Sequence, residues 1–136
     1  MRTMRICIGS QDGEHIATTH MGDTAHFYIY DLNAAGYTFV EQRSNIAQDM
    51  DHAGADKMKA ILSLVLDADV LIAQQKSPNF IKIAKQTKYQ PVVVKVDTIQ
   101  VVLASLQGEF EEIYSYVERR RNGDTFETIP ELTARS

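Results

Sequence analysis

Two short, continuously apolar runs, Val70-Leu71-Ile72-Ala73 and Val92-Val93-Val94-Lys95-Val96, are separated by one segment with helical spacing. Runs of this length and β-branched content suit strands covered on both faces. Between them Ser77 supplies an N-cap and Pro78 a first-turn proline. Phe80, Ile83, Ala84 and Thr87 then share one helical face before Pro91 forbids continuation. Strand, helix and strand joined by short connections pair in parallel through a right-handed crossover. That unit commits the chain to an α/β fold around a mostly parallel sheet.

The remaining pattern arranges itself around this unit. Met4-Arg5-Ile6-Cys7-Ile8 reads as a first strand that stops at the turn formers Gly9-Ser10-Gln11-Asp12-Gly13, opening a loop that extends to Thr24. The aromatic and β-branched stretches from Phe27 and from Tyr37 are strands two and three, with Asn33-Ala34-Ala35-Gly36 as their hairpin loop. Met58, Ile61, Leu62 and Val65 line one face of a helix over 54–66, which Asp51 or His52 can cap. Asp97 or Thr98 can cap a third helix bearing Ile99, Val102, Leu103 and Leu106, and Gly108 is placed to end it in the left-handed conformation. Phe110, Ile113, Tyr114 and Val117 continue the period in a fourth helix or a kinked extension of the third. The expected architecture is a mixed five-stranded sheet of order 3-2-1-4-5, in one domain over 1–122. Beyond it Phe126, Ile129 and Leu132 are the only large apolar residues and Pro130 stands among them, so 123–136 reads as a loosely ordered tail.

A length of 136 residues supports one core rather than two. No apolar run approaches the roughly 20 residues of a membrane span, and the N-terminus lacks an export signal, so the expected location is cytoplasmic. The single cysteine, Cys7, excludes an internal disulfide and a four-cysteine metal site within one chain. A net charge of -4 lacks the broad positive field that nucleic acid demands. Arg119-Arg120-Arg121, the one dense basic run, reads as a solvated helix end.

In the order 3-2-1-4-5 the chain reverses direction of growth beside strand one, and ligands of open α/β sheets favour the carboxyl ends of the strands at such a point. Here it is framed by the loop after Ile8 and by residues 74–79. His15 and His20 lie in the first of these loops, and neutral imidazole is a common metal ligand, so the loop can hold a metal or cluster. Surface or hydrogen-bonded structural histidines are the competing reading. His26 precedes a strand and reads as structural, His52 stands before the first helix, and Cys7 reads first as a buried thiol. The helix opened by Ser77 offers unpaired amides to an anion, less the one that Pro78 removes. No P-loop, dinucleotide fingerprint or nucleophile elbow is present, and the first strand carries no carboxylate of the kind a two-metal nuclease uses. These absences argue against an enzyme.

Over 4–106 the chain resembles the dinitrogenase iron-molybdenum-cofactor-binding family, small domains similar to those of nitrogenase cofactor-assembly proteins. The resemblance rests on the opening strand Met4-Arg5-Ile6-Cys7-Ile8, on His20-Met21-Gly22 where the family usually has His-Phe-Gly, and on His26-Phe27-Tyr28-Ile29-Tyr30-Asp31. It continues in Asp51-His52-Ala53-Gly54, Asp69-Val70-Leu71-Ile72-Ala73 and Ser77-Pro78-Asn79. Gln74-Gln75-Lys76-Ser77-Pro78-Asn79 stands where members have a glycine-rich turn, which removes the close backbone approach that glycine permits.

The resemblance implies a ribonuclease H-like three-layer fold. It also implies non-catalytic binding, carriage or sensing of an iron-molybdenum or iron-sulfur cluster in the company of cofactor-assembly proteins. His20 is the leading ligand, with His15, His52 and Cys7 behind it. Gly22, Ser77, Asn79 and Lys76 complete the binding surface, Lys76 supplying positive charge beside the altered turn. A cofactor-free interaction or regulatory module of the same fold is the alternative. Homodimerisation is compatible with either.

Overall fold

The computed structural model describes residues 2–17, 23–47 and 55–133. Six strands and four helices follow in the order β1 (Met4–Ser10), β2 (His26–Asn33), β3 (Gly36–Ser44), α1 (Ala55–Leu64), β4 (Val70–Ala73), α2 (Pro78–Gln86), β5 (Gln90–Lys95), α3 (Ile99–Gly108), α4 (Phe110–Arg121) and β6 (Glu131–Thr133). The sheet runs β3-β2-β1-β4-β5-β6. β1, β2 and β3 form an antiparallel meander, whereas β1 with β4, β4 with β5 and β5 with β6 are parallel.

Strand alternation divides the core between two faces. Met4, Ile6 and Ile8 of β1, Val70 and Ile72 of β4, and Val92 and Val94 of β5 pack with the apolar stripes of α3 and α4. Cys7, Leu71, Ala73 and Val93 point the other way, onto Ile61 of α1 and Phe80 and Ile83 of α2. The central strands are therefore buried on both sides, as their continuous apolar runs require. The result is a three-layer α/β domain, with helices above and below a mixed sheet.

The end signals act as the sequence dictates. Ser77 accepts a hydrogen bond from the Phe80 amide and Thr98 from the Val101 amide, capping α2 and α3. Asn33 Oδ1 accepts from the amides of Ala35 and Gly36 at 2.8 and 3.1 Å, closing the β2–β3 hairpin. Asp51 and His52, the expected caps of α1, lie outside the described residues.

Three expectations are corrected. The sheet has six strands rather than five, because Glu131–Thr133 of the presumed tail pairs in parallel with β5. Gly108 does not take a left-handed conformation: among the described residues only Gly13 and Gly123 have positive φ. The α3–α4 junction falls instead at Glu109 (φ -110, ψ 25), whose amide still bonds to Ser105 and Leu106 carbonyls, so the two helices abut at a bend. Lastly, the arginine run is not simply a solvated helix end, since Arg120 is only 3% exposed. Its guanidinium donates to Gln90 Oε1 (2.8 Å) and to the carbonyls of Ala84 (2.9 Å), Thr87 (3.0 Å) and Phe126 (3.1 Å). All four acceptors are neutral, and burial pulls the Arg120 pKa down. Gln90 Nε2 in turn donates to the Thr128 carbonyl at 3.0 Å. Helix α4, the end of α2, β5 and the segment leading into β6 thus meet around one buried cation.

Candidate functional site

The carboxyl ends of β1, β4 and β5 lie along one edge of the sheet, with the start of antiparallel β2 beside them. The loop after β1 is shaped by two side chains. Ser10 Oγ accepts from the Gly13 amide at 3.0 Å and donates to the His15 carbonyl. Asp12 Oδ1 accepts from the amides of Glu14 (2.9 Å) and His15 (2.8 Å), the local bonding that places aspartate in turns. Gly13 has φ +82, and a Cβ there would lie 2.9 Å from the Tyr28 hydroxyl oxygen, so both conformation and space require glycine.

The loop then crosses the end of β4. The Ile16 amide donates to the Asp97 carbonyl and the Ile99 amide to the Glu14 carbonyl, each at 2.9 Å, while the Ala17 amide returns to the Gly9 carbonyl at 2.8 Å. Ile16 is buried among the α3 and α4 side chains, which pins the strap from below. Just past β4, Gln74 Nε2 donates to the Val96 carbonyl at 2.8 Å, next to the carbonyl that Ile16 reaches. The switch point expected between two open loops is therefore roofed by the first of them.

His15 is held on this roof. Its Nδ1 lies 2.8 Å from Asp12 Oδ2, and both side chains are more than half exposed. The Asp12 hydrogen bond raises the His15 pKa, and the His15 and Glu14 amides hold the Asp12 carboxyl well below the usual carboxylate range. A carboxylate on one ring nitrogen orients the imidazole, increases its basicity and directs the other nitrogen outward, as in the outer shells of metal sites.

His20 and Gly22 lie outside the described residues, within 18–22, and so does His52. The residues flanking 18–22 are well anchored. Ala17 is tied to Gly9, and Asp23 Oδ1 accepts from Lys57 Nζ of α1 at 2.6 Å, in an ion pair whose lysine side chain is 4% exposed. Behind it the Ala25 amide donates to Gln11 Oε1, and Asn45 Nδ2 donates to the Thr24 carbonyl.

The other predicted residues are dispersed. Cys7 is fully buried in β1, where burial pushes its thiol pKa up and disfavours the thiolate that would bind a metal. Ser77 Oγ is committed to capping α2, and Lys76 and Asn79 are exposed beside that helix start. One further imidazole belongs to this edge. His26 pairs in register with Ser10, and its Nδ1 is buried without a hydrogen-bond partner. Its place as the first residue of a strand antiparallel to β1 was the available signal, since such a residue meets the carboxyl end of β1.

The family described as dinitrogenase iron-molybdenum cofactor matches residues 2–109. The chain belongs to this family. Membership relates it to the nitrogenase cofactor, and the match runs from β1 through α3, leaving α4 and β6 beyond it. No curated protein matches the chain. Among the described residues no three His, Cys, Asp or Glu side chains gather into a metal-holding group, and no helix is long and apolar enough to cross a membrane. Two described imidazoles lie along this edge, one backed by a carboxylate at 2.8 Å and one with a buried Nδ1 that has no hydrogen-bond partner.

Proposed function

We propose that this protein binds an iron- or iron-molybdenum-containing cluster without catalysing a reaction on it, and carries or senses that cargo in the cytoplasm alongside cofactor-assembly proteins. The carrying observation is the Asp12–His15 pair at 2.8 Å on the strap that roofs the switch point. With Nδ1 taken by Asp12, Nε2 is the nitrogen left to ligate, on a ring set in place before any cargo arrives. His20, five positions further along the sequence, is the principal ligand, with Gly22 two positions beyond it as part of the same binding motif. His52 is a further donor at the approach to α1. Lys76, with Ser77 and Asn79 at the start of α2, presents positive charge and amides to an anionic cargo. Cys7 takes no part, because its thiol is enclosed in the core.

Anaerobic reconstitution with iron, sulfide and molybdate, followed by metal analysis and visible absorption, tests this reading. Wild type should acquire a stoichiometric chromophore that is lost in His20→Ala and weakened in His15→Ala. Metal at background level on all three proteins would reject it in favour of a cofactor-free interaction module. That second reading draws on the side chains standing where the glycine turn is expected: Gln74 is tied to the Val96 carbonyl and Ser77 Oγ to the Phe80 amide, so neither is free for a ligand. Under it, partner contact survives His20→Ala.

A further inference from the structure

One cavity lies away from the histidine-bearing edge. It is a half-open groove of about 680 Å³ between α3, the first turn of α4 and β6. That volume falls within the range of sites that hold a small ligand or a short peptide segment. Its apolar lining includes Val101, Ala104 and Leu132. Leu132 packs against the α3–α4 core cluster, and Val101 and Ala104 are exposed along α3. Glu109, Glu112 and Glu131 add three carboxylates, and no Lys or Arg lines the groove. Glu112 Oε1 receives only a long 3.4 Å bond from the Tyr116 hydroxyl.

Two further observations define what fits. β6 is the last strand of the sheet, and no strand pairs beyond it among the described residues, so its outer edge offers backbone groups to an added strand. The family match ends at residue 109, so the groove is assembled from a family helix, α3, and a segment outside the match. We infer that this groove is a docking site for an extended segment of a partner protein in which cationic and aliphatic side chains alternate, laid along the free edge of β6. Aliphatic side chains on one face of the added strand meet Val101, Ala104 and Leu132, and cationic ones on its other face meet Glu131, with Glu112 adding to the negative field. The same carboxylates repel nucleic acid and acidic peptides. The inference is independent of the cluster reading.

The test uses the full chain and a capped hexapeptide alternating lysine and valine, with a glutamate–valine hexapeptide as control. Binding is measured by calorimetry, and its location by amide hydrogen exchange and amide chemical shifts. The lysine–valine peptide should bind, protect amides of 131–133 and shift those of α3, while the control does not bind. Ala104→Arg, at an exposed position, should abolish binding, and Glu112→Gln with Glu131→Gln should weaken it at least about tenfold, or about 1.4 kcal/mol. Glu111→Gln, whose carboxylate bonds Arg2 outside the groove lining, should leave it unchanged. No binding, binding without response at these amides, or equal weakening by Glu111→Gln would overturn the proposal. So would self-association that protects the groove, which would make a second copy its occupant.

Discussion

The strap over the switch point and the appendage that ends in β6 are both attached to the same sheet by backbone bonds, and they differ in what their polar side chains do. The strap is tied to the link between β5 and α3 by backbone bonds and seats Ile16 in the core, while its polar side chains bond locally: Ser10, Asp12 and His15 bond within five positions of one another, and the charged pair is exposed. Such side-chain bonds set a local geometry and add little to global stability. The appendage is held by Arg120, which is buried and reaches residues as far as 36 positions away. A buried cation with all its acceptors in place is costly to disturb, because removing it leaves those acceptors unsatisfied in the interior. The polar side chains of the strap thus set local geometry at the shared edge, whereas the segment leading into β6 is tied through the Arg120 side chain to distant parts of the chain.

The comparison predicts an ordered set of effects. Arg120→Met should be the most damaging, at about 3 kcal/mol in denaturant unfolding, since it orphans Gln90 Oε1 and three carbonyls. It should also raise hydrogen exchange in 126–133 more than in 10–17. Equal loosening of both regions would dissolve the distinction. Gly13→Ala should cost less, about 1–2 kcal/mol, from the left-handed backbone, and its disturbance should centre on the strap and Tyr28.

Asp12→Asn should act most softly, with a change in unfolding free energy too small to resolve, read instead by titrating His15 in NMR spectra. The His15 pKa, raised in the folded chain, should fall toward about 6.5 in the variant. A histidine raised by its partner contributes stability below its unfolded value and loses it as pH rises through the folded value. Asp12, depressed in the folded chain, contributes above the ordinary carboxylate value and loses it as pH falls through its own lower one. Both ions coexist between those two folded values, so shifts of the Glu14 and His15 amides should be flat across that window and break at each side. An unchanged His15 titration in Asp12→Asn would mean that the pair does not persist in solution.

Much of the fold could be read directly. Val70-Leu71-Ile72-Ala73 and Val92-Val93-Val94-Lys95-Val96 announce strands buried on both faces, Ser77-Pro78 and Thr98 announce helix starts, and Asn33-Ala34-Ala35-Gly36 announces a hairpin, because each signal is a local property of a few consecutive residues. From these the strand order and the edge bearing His15 follow. β6 was illegible because three residues behind a proline carry no period of their own. Its pairing is decided by the Arg120, Gln90 and Phe126 cluster. The roof over the switch point escaped for a similar reason, since the bonds joining Glu14 and Ile16 to Asp97 and Ile99 link backbone groups some 80 positions apart and involve no distinctive side chain. The sequence by itself determined the layers, the order of the first five strands and which loop bears the imidazoles, since periodicity and capping act over a few residues. Only the tertiary structure decided that Arg120 is an anchor, that Asp12 takes one nitrogen of His15, and that a groove opens beside β6. Those depend on which distant groups burial brings within bonding distance.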